Sequence, residues 1–231
     1  MRSVKENFDS GKMRRYSKAM SGNPPKLRDL ASSCPQVAEP RPYHHGDLRA
    51  ALLASAEAEL AERGMEGFSL RSVAKRAGVS HAAPAHHFGD AQGLLTALAT
   101  EGFRQFHAAQ TAREAVADKD PASQLVAAGL GYVDFAMARP TLFRLLWQSE
   151  RPNFSDPDLE VAARAAYQHL VDQVMAAGGR SGADEAAAWA VSHGLADLLA
   201  AGRLKGLGSL PAEARDAMVA EIIRRVLPSA G

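Results

Sequence analysis

Phe68-Ser69-Leu70-Arg71-Ser72-Val73-Ala74-Lys75-Arg76-Ala77-Gly78-Val79-Ser80 is the stretch whose reading decides the fold. Leu70, Val73, Ala74 and Ala77 recur at helical spacing behind Ser69, a residue type that caps helix N-termini, and Gly78 stops the run after barely two turns. Gly78 suits a tight turn because a left-handed backbone costs glycine nothing. Val79 can plug the angle between two helices, Ala74 lets them approach closely, and Ser80 is expected to cap a third helix over roughly residues 81–87. A short helix, a glycine turn and a capped new helix are the grammar of a helix-turn-helix. Its last helix has the size that a DNA major groove admits, with its N-terminal residues at the base edges.

Upstream, Asp47 is a good N-cap, and Leu48, Leu52, Ala56 and Leu60 repeat every four residues until Gly64 supplies a C-cap. Downstream, Phe88 and Gly89 end the third helix, and Asp90 caps a long fourth one with Leu94, Leu95, Leu98 and Phe106 inward. The second half restarts at Asp120 and Pro121, an N-cap followed by proline at the first helical position. Helices are expected from there to Arg139, over a short apolar segment after Pro140, and over about 157–177, 183–203 and 211–227, the last two separated by a turn with Gly206 and Gly208. An apolar fraction of 46%, drawn largely from Ala and Leu, agrees with an all-α fold. The expected organisation is an N-terminal three-helix DNA-binding domain over residues 43–106, joined by a long helix to a helical C-terminal domain over 107–231.

Residues 1–42 are of another kind, with Gly11, Gly22 and five prolines, no helical periodicity and little to bury, and are expected to be a disordered basic extension. They carry nine Lys and Arg against four acids, a surplus of +5 in a chain whose total is +1, which leaves −4 for the remainder. Bulk charge therefore makes no case for nucleic acid, and the motif must carry it. Met13 and Met20 are alternative starts. A single cysteine, Cys34, excludes an intrachain disulfide, and no run of about 18 apolar residues or apolar signal core occurs, so the expected compartment is the cytoplasm, with no membrane contact.

The motif resembles the tetracycline-repressor (TetR) family, whose pattern runs through Ala77-Gly78-Val79-Ser80 into a short recognition helix closing on His87-Phe88. The resemblance extends from Tyr43-His44-His45-Gly46-Asp47-Leu48-Arg49 through Phe106. Beyond it, Trp189 with His193-Gly194 resembles the subgroup whose C-terminal domain is named for Trp-His-Gly. The resemblance implies a homodimer, a double-stranded and palindromic operator, and a small-molecule effector, with release from the operator on effector binding. Two positions depart from the pattern: Ala85 stands where a tyrosine is usual and Ala91 where a phosphate-contacting lysine is usual.

On the DNA side the candidate residues are Tyr43, His44, Ser69, Arg71, Ser80, His81, Ala82, Ala83, Pro84, His86 and His87. Arg71 is assigned to phosphate or a base edge, Ser80 to Ala83 to the groove, and His86 and His87 to the backbone, since imidazoles donate to phosphates. Ser69 serves better as a cap than as a reader. On the effector side Tyr132, Phe135, Trp147, Tyr167, Trp189 and His193, with Met137 and Phe143, supply aromatic walls and a few polar tips. Each of them would equally serve an ordinary bundle core.

Two apolar stripes exceed what one thin bundle needs: Ala187, Val191, Gly194, Leu195 and Leu198, then Met218, Val219, Ile222, Ile223, Val226 and Leu227. They are expected to form a two-fold interface. An enzyme is not expected: His81, His86, His87 and His193 lack cysteine or carboxylate companions at zinc-site spacing, and no phosphate loop or nucleophile elbow occurs, so neither metal nor cofactor is assigned. The alternative function is a helical ligand-binding or interaction module with weakened DNA affinity, motivated by Ala85 and Ala91.

Overall fold

The computed structural model describes residues 45–226, and within them every regular element is a helix. Helix α1 (His45–Arg63) buries Leu52, Ala56 and Leu60 and ends at Gly64, whose φ of 68° lets its N–H return to the Leu60 carbonyl. It begins before Asp47, which lies inside the helix and not at its cap. Helix α2 (Leu70–Ala77) starts at Ser69, whose Oγ accepts from the Ser72 N–H, and stops at Gly78 with φ 68°. Val73 and Ala74 are fully buried between α1 and the helices that follow.

Ser80 does not cap the next helix by its side chain. Its carbonyl instead accepts from the Ala83 N–H at 3.0 Å, closing a turn, so that α3 (Ala83–Phe88) begins two residues later than the sequence suggests. Pro84, with no N–H to satisfy, fits that first helical turn. Helix α4 (Ala91–Val116) follows, with the Asp90 carboxylate accepting from the Gly93 N–H at 2.8 Å. At 26 residues it is about 39 Å long. The border expected between residues 106 and 107 falls inside this one continuous helix.

A charge network fastens α2 to α1. Glu59, only 3% exposed, accepts from Arg76 Nε at 2.7 Å and meets Arg63, while the other arm of Arg76 reaches Glu62. The Arg76 hydrogen bond, helped by Ser72 and Arg63, holds the Glu59 carboxyl below its ordinary range against the opposing effect of burial.

Helix α5 (Pro121–Ala138) is the hub of the second half. Asp120 caps it, and Leu125, Val126, Tyr132, Val133 and Phe135 are buried. Around it stand α4, α6 (Pro140–Gln148), α7 (Pro157–Ala176), α8 (Gly182–Ala200) and α10 (Ala212–Arg224). Asp156 caps α7, and Ser181 with Asp184 forms a capping box on α8. The segment expected to be only a glycine-rich turn contains a further helical turn, α9 (Lys205–Gly208). Buried Leu207 anchors it, so tertiary packing offsets the poor helix propensity of Gly206 and Gly208.

Candidate functional site

The segment 69–88 contains three Arg and Lys, three His and no acid, a local surplus that the near-zero net charge conceals. Ser69, Arg71, Lys75, Ser80, His81, Ala82 and His86 are exposed, and Ala83 and His87 are half-buried. Pro84 is fully buried, so its ring packs inward and cannot read a groove. Arg76 is committed to Glu59 and Glu62, which leaves Arg71 and Lys75 as the exposed cations of α2. The His86 and His87 rings meet edge to face at 5.7 Å, and the Arg49 guanidinium lies 5.4 Å over the Phe88 ring, joining α1 to the end of α3. Ala85 is exposed and Ala91, at the start of α4, is half-buried. Tyr43 and His44 lie outside the described residues.

In the second half the rings converge on Trp147. Phe143, Phe106, Tyr132 and Phe103 lie 4.8, 5.0, 5.4 and 5.6 Å from it between centroids, and Phe135 lies at 6.4 Å. Tyr132 carries the polar centre: Trp189 Nε1 donates to its Oη at 3.3 Å, and that Oη is 2.8 Å from His193 Nδ1. Burial pushes the His193 pKa down, against a smaller opposing effect of Asp197, and so favours the neutral ring. Phe143 stacks on His193 at 5.3 Å.

Tyr132, Phe135, Trp147, Trp189 and His193 are therefore brought together. Tyr167 stands at the edge, its ring 6.4 Å from Trp189 and its Oη donating to Glu185 at 3.0 Å. Phe103 was not foreseen in this group, and Phe106 was read only as core; their i, i+3 spacing on α4 was the available signal.

Sequence reading also missed a second polar group along α4. His107, Gln110 and Glu114 follow one another at spacings of three and four. His169 Nε2 on α7 lies 2.6 Å from buried Glu114 Oε1, and the His107 and His169 rings touch at 4.7 Å. Burial, more than the neighbouring His169 ring, pushes His107 below the ordinary histidine pKa, against an opposing effect of Glu114. Among the described residues no cluster has the makings of a metal site. Arg113, also on α4, donates to Asp134 on α5 through Nε and Nη2, and to Asp216 on α10 at 2.7 Å.

A polar cleft of about 370 Å³ opens where α3 and the start of α4 meet the α6–α7 loop, lined by Arg49, His87, Asp90, Thr96, Asn153 and Asp156 among others. It is distinct from the aromatic cluster. Gln92 Nε2 donates to the Arg151 carbonyl, and the Asn153 N–H donates to Thr96 Oγ1, so the base of the helix-turn-helix is tied to that loop.

Residues 52–98 match the family model described as bacterial regulatory proteins of the tetR family, and residues 125–226 match one described as a tetracyclin repressor-like C-terminal domain. A regulator from Burkholderia cenocepacia named HTH-type transcriptional regulator BetI is 31% identical over 175 residues, covering 74% of this chain and 88% of the relative. A protein of the same name from Burkholderia ambifaria is 42% identical over 77 residues, a match spanning only 40% of that relative's length. Among solved structures, a protein of unknown function from Rhodococcus sp. RHA1 is 34% identical with a TM-score of 0.68, over 82% of this chain and all of that one. The TetR-like regulator LfrR from Mycobacterium smegmatis, solved with proflavine, shares the fold at 18% identity and a TM-score of 0.56, over 80% of this chain and 98% of its own. A glycine-turned helix pair with an acid-free exposed face, carried on a helix that runs into an aromatic bundle, is thus matched along both halves, and this chain belongs to the TetR family of bacterial transcriptional regulators, not to an enzyme family.

Proposed function

We propose that the protein is a cytoplasmic homodimeric repressor that binds a palindromic double-stranded operator through α2 and α3 and leaves it when a small molecule occupies the aromatic cluster. Residues 43–106 would bind DNA and residues 107–231 would bind effector and partner, within the subgroup named for Trp-His-Gly. The observation that carries the reading is the path of α4: capped by Asp90 directly after the candidate recognition helix, the same continuous helix presents Phe103 and Phe106 to Trp147. A molecule that displaces Trp147 acts on both rings and hence on the helix that carries the DNA-binding half. Only a ligand that prefers one of two arrangements shifts the balance between them.

The dimer is supported by the outer faces of α8 and α10. Ala187, Val191, Gly194 and Leu198 form a half-buried line at spacings of four, three and four, and Met218, at 49% exposure, continues through Ile222 on α10 to Val226 in the turn beyond it. Leu195, Val219 and Ile223 point into the subunit's own core and are withdrawn from the expected interface. The binding of proflavine by the LfrR structure supports an aromatic effector site in this fold.

The test is a gel-shift titration on the DNA upstream of the gene, against unrelated DNA of equal length. Preference of about a thousandfold or more for the upstream DNA is expected of a specific regulator. Equal affinity for both sequences would sink the repressor and favour an interaction module, the reading that exposed Ala85 supports.

A further inference from the structure

Gln110 holds a buried acceptor that the protein itself leaves unpaired. The residue is 4% exposed, its Nε2 donates to the Ala128 carbonyl at 3.4 Å, and its Oε1 has no partner. An unmet buried acceptor costs free energy, and native proteins keep few of them. Its place in the fold gives this one a use. Gln110 lies one helical turn beyond Phe106 on α4, and Ala128 lies one turn before Tyr132 on α5, so the Gln110–Ala128 contact and the Phe106–Tyr132 contact at 4.7 Å are successive rungs of one seam.

The charge state of the surroundings narrows what fits. His193 and His107 are both pushed toward neutrality by burial. The nearby carboxylates Asp197 and Glu185 accept from neutral groups, Gln148 and Tyr167, and so add nothing that would attract an anion. A negative charge brought into this site would lose its hydration without gaining an opposite charge. The rings offer edge-to-face neighbours for a flat apolar body, and Trp147 is half-buried where Phe103, Phe106 and Phe143 are buried, so it is the ring best placed to yield.

Resting on the effector-binding reading above, we infer that the effector is a planar aromatic molecule that carries no negative charge and bears an N–H or O–H donor, its rings beside Trp147 and its donor on Gln110 Oε1. Isothermal titration of the full-length protein with indole, 1-methylindole and indole-3-acetate tests this. The first two differ by the donor, the third from the first mainly by a charge. Indole is expected to bind wild type about tenfold more tightly than either of the others. In Gln110→Met, which keeps the chain length and removes the carboxamide, indole and 1-methylindole should bind alike. Equal binding of these two by wild type, a preference for the N–H that survives in Gln110→Met, tighter binding of the acetate, or binding of none of the three would each overturn the inference. The wild-type comparison stands even where the variant fails to fold. No DNA is present in the titration, so failure to bind an operator does not affect its outcome, and a lost N–H preference leaves the repressor reading to its own test.

Discussion

Gly131 on α5 lies against the backbone of Gln110 on α4 so closely that a methyl group at Gly131 would stand 2.5 Å from Gln110 Cα and 2.5 Å from the Ala109 carbonyl oxygen. Both obstacles are main chain and cannot swing aside. Gly131→Ala must therefore part α4 from α5, at a cost of about 1 to 3 kcal/mol, which for a chain of this size lowers the melting midpoint by roughly 2 to 4 °C per kcal/mol. Thermal unfolding followed by circular dichroism measures it. An unchanged midpoint would show that the two helices are not in backbone contact.

Gly194 is the opposite case, since a methyl group there meets no atom within 4 Å inside the subunit. Gly194→Leu should leave the subunit's own packing intact and overpack the proposed two-fold interface, weakening the dimer by about 1 to 3 kcal/mol. Sedimentation equilibrium of wild type and variant is the measurement. A wild type that is monomeric at micromolar concentration removes the interface altogether.

Arg71 and Arg76 stand five residues apart and should respond differently. Arg71 is exposed on α2, so Arg71→Ala should keep the melting midpoint and make the logarithmic salt slope of DNA binding shallower by about 0.9 for one lost phosphate contact. Arg76→Ala withdraws the main partner of buried Glu59 and should lower the midpoint. A stability loss in the first variant, or none in the second, would reverse the roles given to them here.

Acid should destabilise the fold through His193 and His107. Both have folded-state pKa values depressed by burial, so the unfolded chain takes up protons first as pH falls below the ordinary histidine value of about 6.5. Above that value both states are neutral and the two histidines contribute no pH dependence. Below it, stability declines with falling pH until the folded state protonates as well. His193→Phe should flatten the dependence of the midpoint on pH between about 5 and 6.5 relative to wild type. Parallel curves would mean that His193 is not held neutral.

Ala91 occupies the first turn of α4, half-buried behind the Asp90 cap. If that helix start faces DNA, Ala91→Lys should tighten binding to specific and unrelated duplexes alike and steepen the salt slope by about 0.9 without altering base preference. The change in stability should stay within a few tenths of a kcal/mol, from helix propensity and a cation near a helix N-terminus. Identical slopes would end the docking inferred from the family resemblance.

The parts of the fold that were legible in the chain are those settled within about four residues. Ser69 and Gly78 bound α2, Asp90 starts α4, and Asp120 with Pro121 starts α5, because a cap or a left-handed glycine acts on its own turn of helix. Ser80 misled for a reason on the same scale. Its backbone carbonyl and its side chain can each close a turn, and with Pro84 shaping the first turn of α3 it is the carbonyl that does so.

By itself, then, the sequence determined the succession of the longer helices, the helix-turn-helix and the family, all written in short spacings and end signals. Only the tertiary structure decided which side chains meet. Tyr132 reaches His193 across 61 residues and Glu114 reaches His169 across 55, and no local pattern encodes such pairs, since they follow from where the helices cross. The same crossings bury Pro84, engage Arg76 and leave Gln110 Oε1 without a partner. Burial is a property of the surfaces brought together, so a residue's chemistry can be named from the chain, but whether water, protein or a ligand satisfies it depends on the packed whole.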